Sequence, residues 1–233
     1  MVTRGEAVGA WLRRPALVGA LVVAVLAATL TVLAVDALGS GPSRCERFAS
    51  DSRDRAAVVT GSGTPILVIG DSWSVGLGLD RPADSWPSRL PGRVRVAGFS
   101  GSGFSEHASP CGDVDFADRA PRALRRPADL VVVQGGLNDY DQPDADIRAG
   151  FDRLMTSLRG ERVVVVGPAA APSRARRAAH VDLLLSGLTA HYGVPYVPTA
   201  SLDLGYLPDR LHLTAASHRV FGDYVAEQLA ALD

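Results

Sequence analysis

The chain has 233 residues, of which 47% are hydrophobic, 21% charged and 6% aromatic, and its formal net charge is -1. That length accommodates one globular domain of ordinary size plus an appendage. The near-neutral balance leaves no basic footprint for nucleic acid, and the apolar content is too high for a disordered chain.

From Ala16 to Val35 the chain carries no charge for 20 residues. At about 1.5 Å per residue, a helix of this length crosses a hydrocarbon core of roughly 30 Å. Arg4, Arg13 and Arg14 precede the run with only Glu6 against them, and Asp36 follows it. The positive-inside rule therefore predicts residues 1–15 in the cytoplasm, 16–35 as a transmembrane signal anchor, and everything beyond outside the cytoplasm. Cleavage near Val35-Asp36-Ala37 is the alternative, although the run exceeds the roughly 7–15 apolar residues of a signal peptide. Residues 36–64 then read as an extracytoplasmic tether with a short helix in its charged part, Arg44 to Arg55. Cys45 in this tether and Cys111 in a Ser-Pro-Cys-Gly turn are the only cysteines. An even count in an oxidising compartment predicts a disulfide between them.

Beyond Thr64 short apolar runs alternate with helical periods. Ile66 to Ile69, Val94 to Ala97, Leu130 to Val133 and Val163 to Val166 have strand length, and Pro195 to Val197 is a fifth candidate. Three of the first four are continuously apolar, as strands covered on both faces are. Between them Ile147, Phe151, Leu154, Met155 and Leu158 form one helical stripe. Thr214 caps a last helix whose stripe is read as Val220, Phe221, Tyr224, Val225, Gln228, Leu229 and Leu232. The expected fold is α/β: a doubly wound, flavodoxin-like parallel sheet of about five strands with helices on both faces, spanning 65–233, preceded by the one transmembrane helix.

The residues that carry chemistry fall at the expected strand ends. Gly70-Asp71-Ser72 follows the first strand, Gly98-Phe-Ser-Gly101-Ser-Gly103 the second, and Gly135-Gly-Leu-Asn138-Asp139 the third. Backbone N–H groups of a glycine loop and a side-chain amide are donors that can converge on one substrate oxygen. Near the C-terminus, Asp209-Arg-Leu-His212 sets an acid three residues ahead of a histidine, a spacing at which a local turn aims the carboxylate at the imidazole. The elbow Gly-x-Ser-x-Gly is absent around Ser72, because Ser74 stands at its last glycine. Asp139, Asp141, Asp144 and Asp146 lack the glycine and glutamate of a calcium loop, and Gly98 to Gly103 lacks a dinucleotide register, so neither metal nor cofactor is expected.

Read in order, these four blocks resemble the SGNH or GDSL hydrolase superfamily over roughly residues 65–232. The resemblance implies Ser72 as nucleophile, His212 as general base and Asp209 as its orienting partner. It implies the N–H groups of Ser72 and Gly101 and the side chain of Asn138 as oxyanion donors, with Gly103 an alternative to Gly101. One departure stands out, since the asparagine frequent before the second-block glycine is missing from Arg95-Val96-Ala97. The implied activity is hydrolysis of carboxylic esters, with short O-acyl groups on envelope or extracellular carbohydrate as the expected substrate. An O-acyltransferase with the same site and a non-catalytic carbohydrate-binding module are the competing readings. The only partner expected besides substrate is the membrane, and the oligomeric state is open.

Overall fold

A computed structural model describes residues 42–232, together with Val25 and Leu26. The predicted membrane segment 16–35 thus lies outside the described residues except at those two positions. Among the described residues no helix is long and apolar enough to cross a membrane.

From residue 42 onward the described elements are α1 (Arg44–Ala57) and β1 (Pro65–Gly70), followed by the single turn α2 (Ser72–Val75) and two 3-10 turns, Pro82–Asp84 and Trp86–Arg89. Then come β2 (Arg93–Gly98), α3 (Phe116–Ala123), β3 (Leu130–Gln134), α4 (Asp144–Ser157), β4 (Val163–Val166), α5 (Ala175–Tyr192), β5 (Tyr196–Val197) and α6 (Ala215–Ala230). The five strands form one sheet in the order β2-β1-β3-β4-β5, and every pair is parallel. This is the flavodoxin-like winding, whose carboxyl ends form the crevice where such sheets bind ligands.

Strand alternation explains the two layers. Ile66, Val68, Val94, Val96, Val132, Val164 and Val166 point to one side, where they meet Trp86 and the α6 residues Phe221, Val225 and Leu229. Leu67, Ile69, Val131, Val133 and Val165 point to the other, against Phe116 of α3, the Ile147, Phe151 and Leu154 stripe of α4, and Val181 and Leu185 of α5. With both faces covered, the interior strands are apolar along nearly their whole length, Gln134 at the carboxyl end of β3 being a buried polar exception, which is why they read as valine-, isoleucine- and leucine-rich runs.

Two expectations need correction. The stripe of α6 is narrower than predicted: Val220 and Leu232 are 50% and 44% exposed, so the buried line is Phe221, Val225 and Leu229. The predicted tether, 36–64, is not a tether from Cys45 onward, because Cys45 to Asp233 clusters as one compact unit. Helix α1 docks through the Cys45–Cys111 disulfide, an edge-on contact between Phe48 and Phe99, and a 2.6 Å hydrogen bond from the Ser52 hydroxyl to the Gly98 carbonyl. Arg55 is 1% exposed, and its guanidinium donates to the Ser85 hydroxyl and the Val58 carbonyl. Thr60 adds an antiparallel bridge to Val94 on the β2 edge. The compact unit that holds the sheet therefore starts near residue 45 rather than 65.

Candidate active site

Ser72 opens α2 directly after β1, and Asp71 caps that turn by accepting the Trp73 N–H at 2.9 Å. The Ser72 hydroxyl lies 3.0 Å from Nε2 of His212, whose Nδ1 lies 2.5 Å from Oδ2 of Asp209. The other carboxylate oxygen of Asp209 accepts the backbone N–H groups of Leu211 and His212, at 2.9 and 3.0 Å. This local turn holds the acid beneath the imidazole, as the three-residue spacing predicts. Burial pulls the Asp209 pKa upward, but the hydrogen bonds from His212 and Leu211 and the imidazole charge outweigh it and hold the carboxyl below its ordinary value. An imidazole whose Nδ1–H is held by a carboxylate presents a bare Nε2 to its other neighbour.

The loop bearing His212 is rigidly closed. Tyr206 bridges Leu213, the Leu207 N–H donates to the His212 carbonyl at 2.7 Å, and Arg210 sits at φ 58, a conformation uncommon for a non-glycine residue. Trp73 fastens this loop to the serine turn, since its indole N–H donates to the Leu211 carbonyl at 3.1 Å. Its ring is 2% exposed, edge-on to Phe221 and beside Tyr206. Trp73 is thus a packed clamp between nucleophile turn and histidine loop, and not a wall open to substrate.

Asn138, 8% exposed, follows β3 and donates from Nδ2 to the Ser102 carbonyl at 2.8 Å, which leaves its second amide hydrogen for another acceptor. Its neighbour Asp139 is fully buried and accepts the N–H groups of Phe104 and Ser105, at 3.1 and 2.8 Å. Burial pushes the Asp139 carboxyl up to about 7 and that of Asp71 up to about 6. Gly103 lies against this acid, where an added Cβ would come within 2.4 Å of its Oδ2. Gly101 needs to be glycine for a different reason, its φ of 84. Among the described residues nothing accepts from the backbone N–H of Ser72 or of Gly101.

Several residues that hold this arrangement together carry no signal in the sequence. Arg119 of α3 joins the ends of β1 and β2, donating to the carbonyls of Gly70 and Ala97, to the Ser102 hydroxyl and to the Val114 carbonyl. Burial lowers its pKa to about 10. Below the serine turn, Ser74 donates to Gln134 at 2.8 Å and accepts from the Trp86 indole at 3.2 Å. His218 is 1% exposed and accepts the Trp86 N–H on Nδ1; burial lowers its pKa to about 4. A buried arginine or glutamine reads in sequence like any surface one.

A doubly wound parallel sheet with a hydroxyl, an imidazole and a carboxylate in line at its carboxyl edge defines the class of this protein by its fold, an α/β protein with its candidate site at the strand ends. The chain belongs to the GDSL-like lipase/acylhydrolase family, which matches residues 68–220, and it is an esterase by that membership. No curated protein sequence matches it. Among solved structures, a carbohydrate acetylesterase from Sinorhizobium meliloti is similar with a TM-score of 0.63 and 19% identity, over 72% of this chain and 99% of that one. An M. smegmatis aryl esterase in inhibitor-bound form has a TM-score of 0.60 and 22% identity, over 73% and 100%. A family two carbohydrate esterase from Clostridium thermocellum has a TM-score of 0.59 and 14% identity, over 73% and 65%. At these identities the likeness is one of fold.

Proposed function

We propose that the protein cleaves short O-acyl esters, acetyl foremost, from a hydrophilic alcohol such as a cell-envelope or extracellular carbohydrate, with Ser72, His212 and Asp209 as its catalytic triad. The observation that carries this reading is the unbroken chain from the Ser72 hydroxyl through both nitrogens of His212 to Asp209. In the first step the Ser72 Oγ attacks the ester carbonyl carbon and its proton passes to His212 Nε2. The carbonyl oxygen becomes an oxyanion, held by the N–H groups of Ser72 and Gly101 and the free amide hydrogen of Asn138. His212 then returns the proton to the departing alkoxide, which leaves the acyl group on Ser72. Water repeats the sequence, releasing the carboxylic acid and restoring the hydroxyl. Asp209 stays ionised throughout, orients the ring and stabilises the imidazolium. Gly101 is taken as the donor, with Gly103, whose Cα packs against the Asp139 carboxylate, as the alternative.

Preference for a short acyl group rests on where the large apolar side chains go. Trp73, Phe99, Phe104 and Leu137, which flank the site in sequence, are 2%, 6%, 0% and 2% exposed and so are consumed by packing. What remains at the strand ends is rich in glycine, serine and aspartate. A buried tunnel would add about 0.8 kcal/mol of binding per methylene. A cleft without one gains nothing from a longer chain. The expected result is therefore that kcat/KM for acetyl, butyryl, octanoyl and palmitoyl esters of one alcohol is highest at the short end and falls by octanoyl. A steady rise to octanoyl or beyond overturns the assignment in favour of lipase or thioesterase chemistry. The N-terminal run 16–35 completes the reading, placing the esterase outside the cytoplasm on a membrane anchor.

A further inference from the structure

The loop after β4 ends in Ser173 and Arg174, which touch both halves of the site. Arg174 Nη1 donates to Oδ1 of Asn138 at 2.8 Å and to the Leu137 carbonyl at 2.6 Å. Its guanidinium carbon stands 4.3 Å from the centre of the Tyr140 ring. All three partners belong to the four residues 137–140, so the group is held against one short segment by two hydrogen bonds and a cation–π contact. Its backbone is anchored too, because the Arg174 carbonyl accepts the N–H groups of Arg177 and Ala178 at the start of α5. One residue earlier, the Ser173 N–H donates to the carbonyl of Arg210, within the Asp209–His212 turn, at 3.1 Å.

This arrangement decides which way the Asn138 amide faces. A guanidinium has donors only, so the atom it meets is the amide oxygen; the Ser102 carbonyl is an acceptor only, so the atom it meets is the amide nitrogen. The two contacts agree, and together they forbid the flipped amide. Without Arg174 the Ser102 carbonyl alone would resist rotation, and a flipped Asn138 would turn lone pairs toward the oxyanion in place of hydrogens. The charge on Arg174 also polarises the amide it binds, which strengthens the remaining N–H as a donor.

We infer that Arg174 is a positioning residue of the oxyanion hole, acting through Asn138 by fixing its amide orientation. The inference rests on the reading of Asn138 as an oxyanion donor, and the experiment separates the two. Kcat and KM of the full chain toward an acetyl ester are measured for wild type, Asn138→Ala, Arg174→Ala, Arg174→Lys and the double variant Asn138→Ala/Arg174→Ala. Thermal unfolding of each variant reports folding, and Arg174→Lys, which keeps the charge but not the planar fork, serves if Arg174→Ala fails to fold. Asn138→Ala is expected to lower kcat by roughly 10²–10³-fold, the usual loss for one oxyanion donor. Arg174→Ala is expected to lower kcat by about 10–100-fold with KM changed by less than about 3-fold, a split that marks an interaction made in the transition state. In the Asn138→Ala background the arginine change is expected to cost less than about 3-fold more, because the group it positions is already gone. A multiplicative loss in the double variant, or wild-type kcat in both arginine variants, overturns the role of Arg174 while leaving Asn138 in place. Wild-type kcat in Asn138→Ala removes the oxyanion reading of Asn138 and the role of Arg174 with it.

Discussion

Ser72→Ala is expected to lower kcat toward acetyl esters by about 10³-fold or more, and His212→Ala by a similar factor. The hydroxyl of Ser72 has one hydrogen-bond partner among the described residues, Nε2 of His212, so its loss removes no contact that holds the fold. The two effects should not multiply. Nucleophile and base act as one unit, and once either is gone the other has nothing to exchange a proton with. What survives in each variant is the residual rate from substrate binding and the oxyanion donors. Unfolding curves superimposable on wild type, together with the kinetic loss, check the prediction; a Ser72→Ala chain that keeps most of its turnover contradicts it.

The second large effect falls on stability. Cys45 and Cys111 are joined across 66 positions. On the chain-entropy view, closing a loop of that size stabilises the native state by about 4 kcal/mol. Helix α1 is also fastened by the Phe48–Phe99 contact and the Ser52 and Arg55 hydrogen bonds, and the segment after it by the Thr60 bridge. Replacing both cysteines by serine is expected to lower Tm by roughly 8–16 °C in a domain of this size. Reductant should produce the same shift in wild type and none in the variant. A change below about 2 °C would mean that the disulfide contributes little beyond those contacts. Phe48 also lies 3.7 Å from where a Cβ on Gly101 would stand, so the pin sits beside a proposed oxyanion donor.

How much of this was legible follows from which interactions are local. The unbroken valine runs, the stripe of α4 and the Thr214 cap all depend on residues within a few positions of one another, and they appear where the periodicity puts them. The Asp209–His212 contact is legible for the same reason, since three residues and a turn suffice to make it. Ser72 and His212 stand 140 positions apart, and their meeting was accessible only through the resemblance of the four blocks to a family. The failures are all non-local. Charged α1 looks like linker because its docking uses a cysteine, one phenylalanine and a buried arginine, none of which makes an apolar period. Val220 satisfies the helical period of α6 yet faces outward, and Leu232 lies beyond the helix end in an exposed turn, so the buried stripe is narrower than the period suggests. Trp73 beside a nucleophile invites a role in the pocket, and only the position of Leu211, 138 residues on, shows its indole to be a clamp. Arg174 is 36 positions from Asn138 and lies in no motif.

Fluorophosphonate treatment of the full chain, followed by peptide mass spectrometry, reads the nucleophile itself. One phosphonyl group on Ser72, accumulating in step with the loss of esterase activity and blocked by His212→Ala, is the expected result. Inactivation with Ser72 unmodified, or with the label on another serine, would contradict the triad of Ser72, His212 and Asp209.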